Sequence, residues 1–181
     1  MRVFDCFSFF NEFDVLEIRL HELQGVVDRF VLVEADRTHA GQPKPLYFHE
    51  NRQRFAAFLD RIEHVVVRDM PEGDDPWRRE RFQRDCITRG LGGAGPDDLV
   101  MVSDVDEIPR AAFVSLMCNL SAPLFALRMP VSYFKINYLN VAGVAMDVGT
   151  VAARLRSMPS PDLLRSTWRG ETQVDDGTVK V

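Results

Sequence analysis

The 181-residue sequence holds only three cysteines, Cys6, Cys86 and Cys118, far apart and without C-x-x-C spacing. An odd number with no paired spacing argues against a disulfide framework and against a thiolate zinc site. Buried free thiols and a reducing compartment follow. No apolar run approaches the ~20 residues that a bilayer span needs, and Asp5 interrupts the first apolar segment too early for a signal peptide. The expected location is therefore the cytoplasm or the membrane periphery. Basic residues form no tail: 22 Lys and Arg stand against 27 Asp and Glu, a net charge of −5. Nonspecific attraction to nucleic acid or to an anionic membrane is not expected. There is no internal repeat, low-complexity tract or clear linker. Gly41-Gln42-Pro43-Lys44-Pro45 has too few glycines and no following helix start, so it is not a P-loop. The histidines, His21, His39, His49 and His64, show no metal-ligand spacing, and the triplet Asn119 to Ser121 reads as a chance match to a glycosylation acceptor.

What is present reads as one globular domain over residues 1–169 with a polar tail, 170–181. The composition is 46% hydrophobic and 27% charged, ordinary for a folded soluble chain. Val3 to Phe10 favours a strand. Phe13, Leu16, Leu20, Leu23 and Val27 then recur at helical spacing. Phe30 to Glu34 is a continuous apolar run of the kind covered on both faces. Phe55, Phe58, Leu59 and Ile62 predict a second amphipathic helix, Val65 to Val67 a strand, and Trp77 to Arg89 a helix closing at Gly90. Leu99 to Val102 is a fourth buried strand. A helix near Ala111 to Cys118 and strand-like pieces at Leu124 to Arg128, Tyr133 to Asn140 and Thr150 to Leu155 complete the pattern. Alternating strands and helices predict an α/β fold, a mostly parallel sheet with helices on both faces. Ligands of such sheets lie at the carboxyl ends of the strands.

At the end of the fourth strand the chain turns acidic: Ser103-Asp104-Val105-Asp106-Glu107. A strand alternates its side chains, so Asp104 and Asp106 are expected to point the same way while Val105 points back. Two adjacent carboxylates repel, and a divalent cation offsets that repulsion. Hard oxygen donors suit Mg²⁺ or Mn²⁺, which take one or two carboxylates and complete their shell with substrate phosphates and water. A solvated acidic loop is the plain alternative, because D-x-D triplets are common by chance.

Four segments agree with one family. Phe4 to Leu23 (FDCFSFFNEFDVLEIRLHEL), Val27 to Phe48 (VDRFVLVEADRTHAGQPKPLYF), Pro76 to Asp85 (PWRRERFQRD) and Ser103 to Pro109 (SDVDEIP) resemble glycosyltransferase family 17, in the same order, over roughly the first 155 residues. The resemblance implies a GT-A-like (Rossmann-like) fold, a UDP-sugar donor with N-acetylglucosamine as the sugar, a Mn²⁺ or Mg²⁺ ion, a glycan or saccharide acceptor, and inversion at the anomeric carbon. Asp104 and Asp106 match the acidic motif, Glu34 the acidic residue ending the second strand, and Arg84 the arginine of a Gln-Arg pair. The family usually continues into an aromatic- and histidine-containing segment, for which Trp168-Arg169-Gly170 is no substitute. The domain is therefore expected to be short at its C-terminus.

The remaining candidates are weaker. Arg78, Arg81 and Arg84 recur every third residue on the third helix; they suit a donor diphosphate, or a solvated face with Glu80–Arg84 and Arg81–Asp85 pairs. Glu34, Asp36 and Arg37 could read the nucleotide's base or ribose. Phe7, Phe9, Phe10 and Phe13 read as core. The chemistry expected is one in-line displacement, with Asp106 and Asp104 holding the metal at the diphosphate and a carboxylate taking the acceptor's proton. That base is unassigned, Glu107 being the nearest. Two other readings stay open: a metal-dependent phosphotransferase of the haloacid-dehalogenase type, which also uses D-x-D, and an inactive domain that only binds a nucleotide-sugar.

Overall fold

Four neighbouring parallel strands form one side of the sheet: β1 (Val3–Ser8), β2 (Arg29–Ala35), β3 (Ile62–Val67) and β4 (Leu99–Asp104). The computed structural model describes residues 1–130 and 146–167. Two further strands lie on the β4 side: β6 (Met146–Arg154) pairs antiparallel with β4, and β5 (Leu124–Pro130) pairs antiparallel with β6, giving the order β3-β2-β1-β4-β6-β5. The helices are α1 (Phe13–Leu23), α2 (Tyr47–Asn51), α3 (Pro76–Asp85), α4 (Ala111–Asn119) and α5 (Pro161–Thr167). The expected strand at Tyr133 to Asn140, the Trp168-Arg169-Gly170 triplet and the tail 170–181 lie outside the described residues. Among those described, no helix is long and apolar enough to cross a membrane.

The period-2 alternation of the strands divides the core in two. On one face, Phe7, Phe30, Leu32, Leu99 and Met101 pack against Leu16, Leu20 and Leu23 of α1, Phe48 of α2, and Val114 and Met117 of α4. On the other, Cys6, Val31, Val33, Val100 and Val102 pack against Cys86, Ile87 and Leu164 of α5. This is the expected α/β, Rossmann-like sheet with helices on both faces. Cys6 and Cys86 are buried and all three thiols are free. The sheet order reverses between β1 and β4, so their carboxyl ends border the crevice where such sheets hold ligands.

Local boundaries differ from the sequence reading where geometry intervenes. Ile62 does not end a helix; it opens β3, paired with Phe30. The segment before it is the short α2 followed by a 3-10 helix, Arg52–Phe58, in which Phe55 and Phe58 are both buried. Their spacing of three suits that tighter helix as well as an α-helix, so periodicity could not separate the two. β1 stops at Ser8, two residues before the expected Phe10. The third helix begins where Asp75 accepts the Trp77 N–H at 3.0 Å and Pro76 occupies the first turn. It tightens into a 3-10 turn over Cys86–Gly90.

One ionic pair sits inside the first core. Asp5 on β1 and Arg19 on α1 are both fully buried. Arg19 Nε and Nη2 donate to the two carboxylate oxygens at 2.7 and 2.6 Å, a bidentate fit. Removing one partner of such a pair strands a charge in the core, at about 3–5 kcal/mol. Arg19→Met should therefore lower the unfolding free energy by that order, and the double change Asp5→Leu with Arg19→Met should recover part of the loss. Urea unfolding of the three proteins decides it; a single variant within about 1 kcal/mol of the parent would contradict this account.

Candidate functional site

The acidic turn is held from below by the same arginine. Arg19 Nη2 donates to Ser103 Oγ at 2.6 Å, and Nη1 to the carbonyls of Asp104 and Val105 at 2.9 and 3.0 Å, with that of Glu107 at 3.4 Å. The turn also closes on itself. The Asp104 N–H donates to Glu107 Oε2 at 2.9 Å, and the Glu107 N–H donates to the Asp104 carbonyl at 3.1 Å. Thr150 Oγ1 donates to the Glu107 carbonyl at 2.8 Å. Strand geometry ends at Asp104, which pairs with Ser8 of β1, and Val105–Asp106 form a turn. Strand alternation therefore does not orient Asp106, contrary to the sequence argument. The turn does: Val105 is buried and Asp106 is exposed.

Two guanidiniums approach Asp104 from the opposite face. Arg84 of α3 donates to Asp162 Oδ1 and Glu80 Oε1, each at 2.6 Å, and lies 3.8 Å from Asp104 Oδ1. Arg165 of α5, fully buried, lies 3.5 Å from Asp104 Oδ2 and donates to Glu107 Oε1 and to the carbonyls of Val148 and Gly149. Its Nε is buried without a hydrogen-bond partner among the described residues. The Asp162 N–H donates to Asp85 Oδ1 at 2.9 Å, tying α5 to α3. Burial works against the Arg84 charge, but Glu80, Asp104 and Asp162 outweigh it and push its pKa up. Burial also raises the pKa of Glu107, with Arg165 opposing and Asp104 adding.

The charges do not balance. Asp104, Asp106, Glu107, Glu80 and Asp162 contribute five carboxylates against two guanidiniums. Among the described residues no group of three or more His, Cys, Asp or Glu side chains could hold a metal alone. An all-protein cage is thus not what the turn offers. A hard cation shared between one or two carboxylates and a phosphate does fit the donor set: Asp106 is exposed, and the Asp104 side chain is 46% exposed.

Other candidates lie elsewhere. Glu34 is on the α1 and α2 face of β2, fully buried, and its oxygens receive the Phe48 N–H at 3.0 Å and His64 Nε2 at 3.0 Å, with Lys44 at 3.8 Å. It braces α2 against the sheet and does not reach the acidic turn. Arg81 turns away to Asp75 at 3.5 Å, not to Asp85 as helical spacing suggested, and Arg78 is exposed. Of that arginine series, Arg84 alone reaches Asp104. Glu107 is brought to the site, but with both oxygens engaged, Oε2 by a backbone N–H and Oε1 by Arg165. Sequence reasoning missed Asp5, Arg19, Asp162 and Arg165. The first two had a signal: Asp5 breaks an apolar strand, and Arg19 occupies the i+3 position of the Leu16, Leu20, Leu23 stripe. Arg165, beyond the regular alternation, had none.

A sequence profile of glycosyltransferase family 17 matches residues 1–140. The beta-1,4-mannosyl-glycoprotein 4-beta-N-acetylglucosaminyltransferase of Rattus norvegicus is 33% identical over 144 residues, 74% of this chain and 27% of that protein. The Homo sapiens protein of the same name gives the same figures. The chain thus spans about a quarter of the length of these curated relatives. Among solved structures, the 2-C-methyl-D-erythritol 4-phosphate cytidylyltransferase of Francisella tularensis superposes over 86% of this chain and 74% of that one, at 11% identity and a TM-score of 0.43. With the profile covering 140 of its 181 residues, from β1 through the acidic turn, the chain belongs to glycosyltransferase family 17.

Proposed function

We propose that this chain is an inverting, metal-dependent glycosyltransferase that moves a sugar from a UDP-sugar to a hydroxyl of a glycan or other acceptor, with N-acetylglucosamine as the sugar. The observation that carries the reading is the acidic turn at the carboxyl end of β4, exposed at Asp106 and flanked at Asp104 by Arg84 and Arg165. Family membership and the names of the relatives support the reaction class and the sugar. They also favour this reading over a haloacid-dehalogenase-type phosphotransferase.

The residues divide the work by charge. Asp106, with Asp104, would hold the Mn²⁺ or Mg²⁺ ion, which when bound supplies positive charge to the leaving diphosphate. Arg84 would donate to diphosphate oxygens, as planar guanidiniums do to phosphate. Arg165 would keep Asp104 and Glu107 in place from the protein side. Glu107 closes the turn, an arrangement that leaves it little capacity to accept an acceptor's proton. The general base therefore stays unassigned among the described residues.

Five carboxylates against two guanidiniums would repel a diphosphate by themselves, so UDP affinity should depend on the cation. Calorimetry with UDP should show binding in Mn²⁺ that weakens at least about tenfold in EDTA, ~1.4 kcal/mol, and Asp106→Asn should erase that difference. Metal dependence unchanged in Asp106→Asn would remove the central assignment. For Arg84→Met, UDP affinity in Mn²⁺ should also drop about tenfold. Thermal unfolding is measured alongside, because Arg84 also ties α3 to α5. If UDP affinity is retained, Arg84 acts only as a structural tie. Glu107→Gln tests the base: a loss in turnover beyond ~100-fold with KM preserved would make Glu107 catalytic after all, whereas the geometry leads us to expect a modest loss and lower stability.

A further inference from the structure

A second basic cleft lies on the same edge of the sheet, away from the acidic turn. It has a volume of about 410 Å³ and opens beyond the carboxyl ends of β2 and β3. Pockets for small ligands commonly span roughly 300–1,000 Å³. Its walls are the loop after β2, with Arg37 and Gly41, and the loop after β3, with Arg68, Asp69, Glu72 and Gly73. Each loop is shaped by its own bonds. In the first, the Thr38 N–H donates to the Gln42 carbonyl and the Gly41 N–H to the Thr38 carbonyl, both at 2.8 Å.

One buried side chain fastens the two loops together. Arg79 of α3 is 7% exposed and donates to the carbonyls of His39 at 2.9 Å, Pro71 at 3.1 Å and Gly73. Gly41 lies against this guanidinium. Its φ is +84°, and a Cβ there would stand 3.0 Å from Arg79 Nη2. The walls of the cleft are therefore held apart by fixed backbone, so that binding has to order only the side chains that line it.

Its charge is uncompensated. Asp69 is taken up by Arg89, which donates to both its oxygens at 2.8 and 2.7 Å. That leaves Glu72 as the one carboxylate to set against Arg37, Arg68 and Arg79. Arg37 and Arg68 are exposed, and their side chains have no partner among the described residues. Exposed guanidiniums lining a preformed cavity offer planar donor forks suited to an oxyanion.

We propose that this cleft is a binding site for a small molecule bearing a phosphate or carboxylate group, with Arg37 and Arg68 as its charged contacts and Arg79 as the residue that holds the walls. It is separate from the acidic turn. β2 and β3 lie on the far side of β1 from β4, so roughly 10 Å or more of sheet separates the two sites.

Titration calorimetry in metal-free buffer tests this with inorganic phosphate in one arm and glucuronate in the other. At least one probe should bind the parent protein in the millimolar range, and the stronger arm identifies the anion class. The double variant Arg37→Ala with Arg68→Ala should weaken that binding at least about tenfold with the melting temperature unchanged, since both side chains are exposed. Gly41→Val, which strains the loop against Arg79, should weaken it too. Asp106→Asn should leave it intact. Two results would each overturn the proposal: no binding of either probe at tens of millimolar, or binding that survives the double variant; in the second case its loss in Arg84→Met would put the anion at the acidic turn.

Discussion

The geometry of the acidic turn depends on the hydrogen-bond donors of Arg19. After β4 the backbone must leave the sheet within a few residues, and the carbonyls of Asp104, Val105 and Glu107 turn toward the α1 face. That face is apolar, built from Phe7, Leu16, Leu20 and Leu99, so carbonyls left there without donors would cost heavily. A guanidinium is the one side chain with five N–H donors in a fixed plane. Asp5 neutralises it and fixes its orientation with two short bonds. The buried ion pair is thus a donor plate set into the core under the turn. Its desolvation cost is offset because the plate supplies donors to the Asp104 and Val105 carbonyls and shares the Glu107 carbonyl with Thr150 Oγ1.

Fixing the backbone from one face leaves the carboxylates to be managed from the other. Ser103 points toward Arg19, and Asp104, its neighbour in the strand, points to the α3 and α5 side. Arg84 and Arg165 meet it there from two separate helices. Neither guanidinium is dedicated to Asp104: Arg84 is shared with Glu80 and Asp162, and Arg165 with Glu107. Partial neutralisation of this kind keeps the carboxylates folded against the protein while leaving the turn negative. A turn that is negative, yet has guanidiniums at its rim, suits a cation and a phosphate arriving together better than either alone.

The sheet was legible because its signal is redundant. Apolar runs, alternation and intervening helical stripes pointed to the same four parallel strands, and packing moved boundaries only, as at Ile62, which opens β3 and does not end a helix. The acidic turn was legible for the opposite reason: Asp104, Asp106 and Glu107 break an apolar pattern abruptly. Its orientation was not, because alternation holds only while the chain is a strand, and this chain stops being one at Asp104. The surroundings of Glu34 were hidden for a related reason. A carboxylate at a strand end resembles a ligand contact, yet here the strand's parity turns it into the core, where the α2 backbone and His64 claim it. Arg165 was beyond reach of sequence reasoning altogether. Its role depends on α5 returning across the edge of the sheet, a long-range placement with no local period.

α3 joins the two charged regions into one mechanical unit. Arg79 and Arg84 lie five residues apart on it, about 7.5 Å along the axis, and each works at a different place. Arg79 pins the loops after β2 and β3, and Arg84 reaches the turn after β4. Between them Gln83 donates to the Val33 carbonyl of β2 at 3.0 Å and contacts His39 Nε2 at 3.0 Å. The helix is therefore bonded to the sheet between its two working arginines. A displacement of α3 large enough to free Arg84 from Asp104 would also strain the loops that Arg79 holds. Conversely, an anion seated between Arg37 and Arg68, as proposed, would stiffen those loops and, through Arg79, the helix that carries Arg84. Any coupling between the cleft and the turn should run through this one element, because among the described residues α3 is the element whose side chains bond to both.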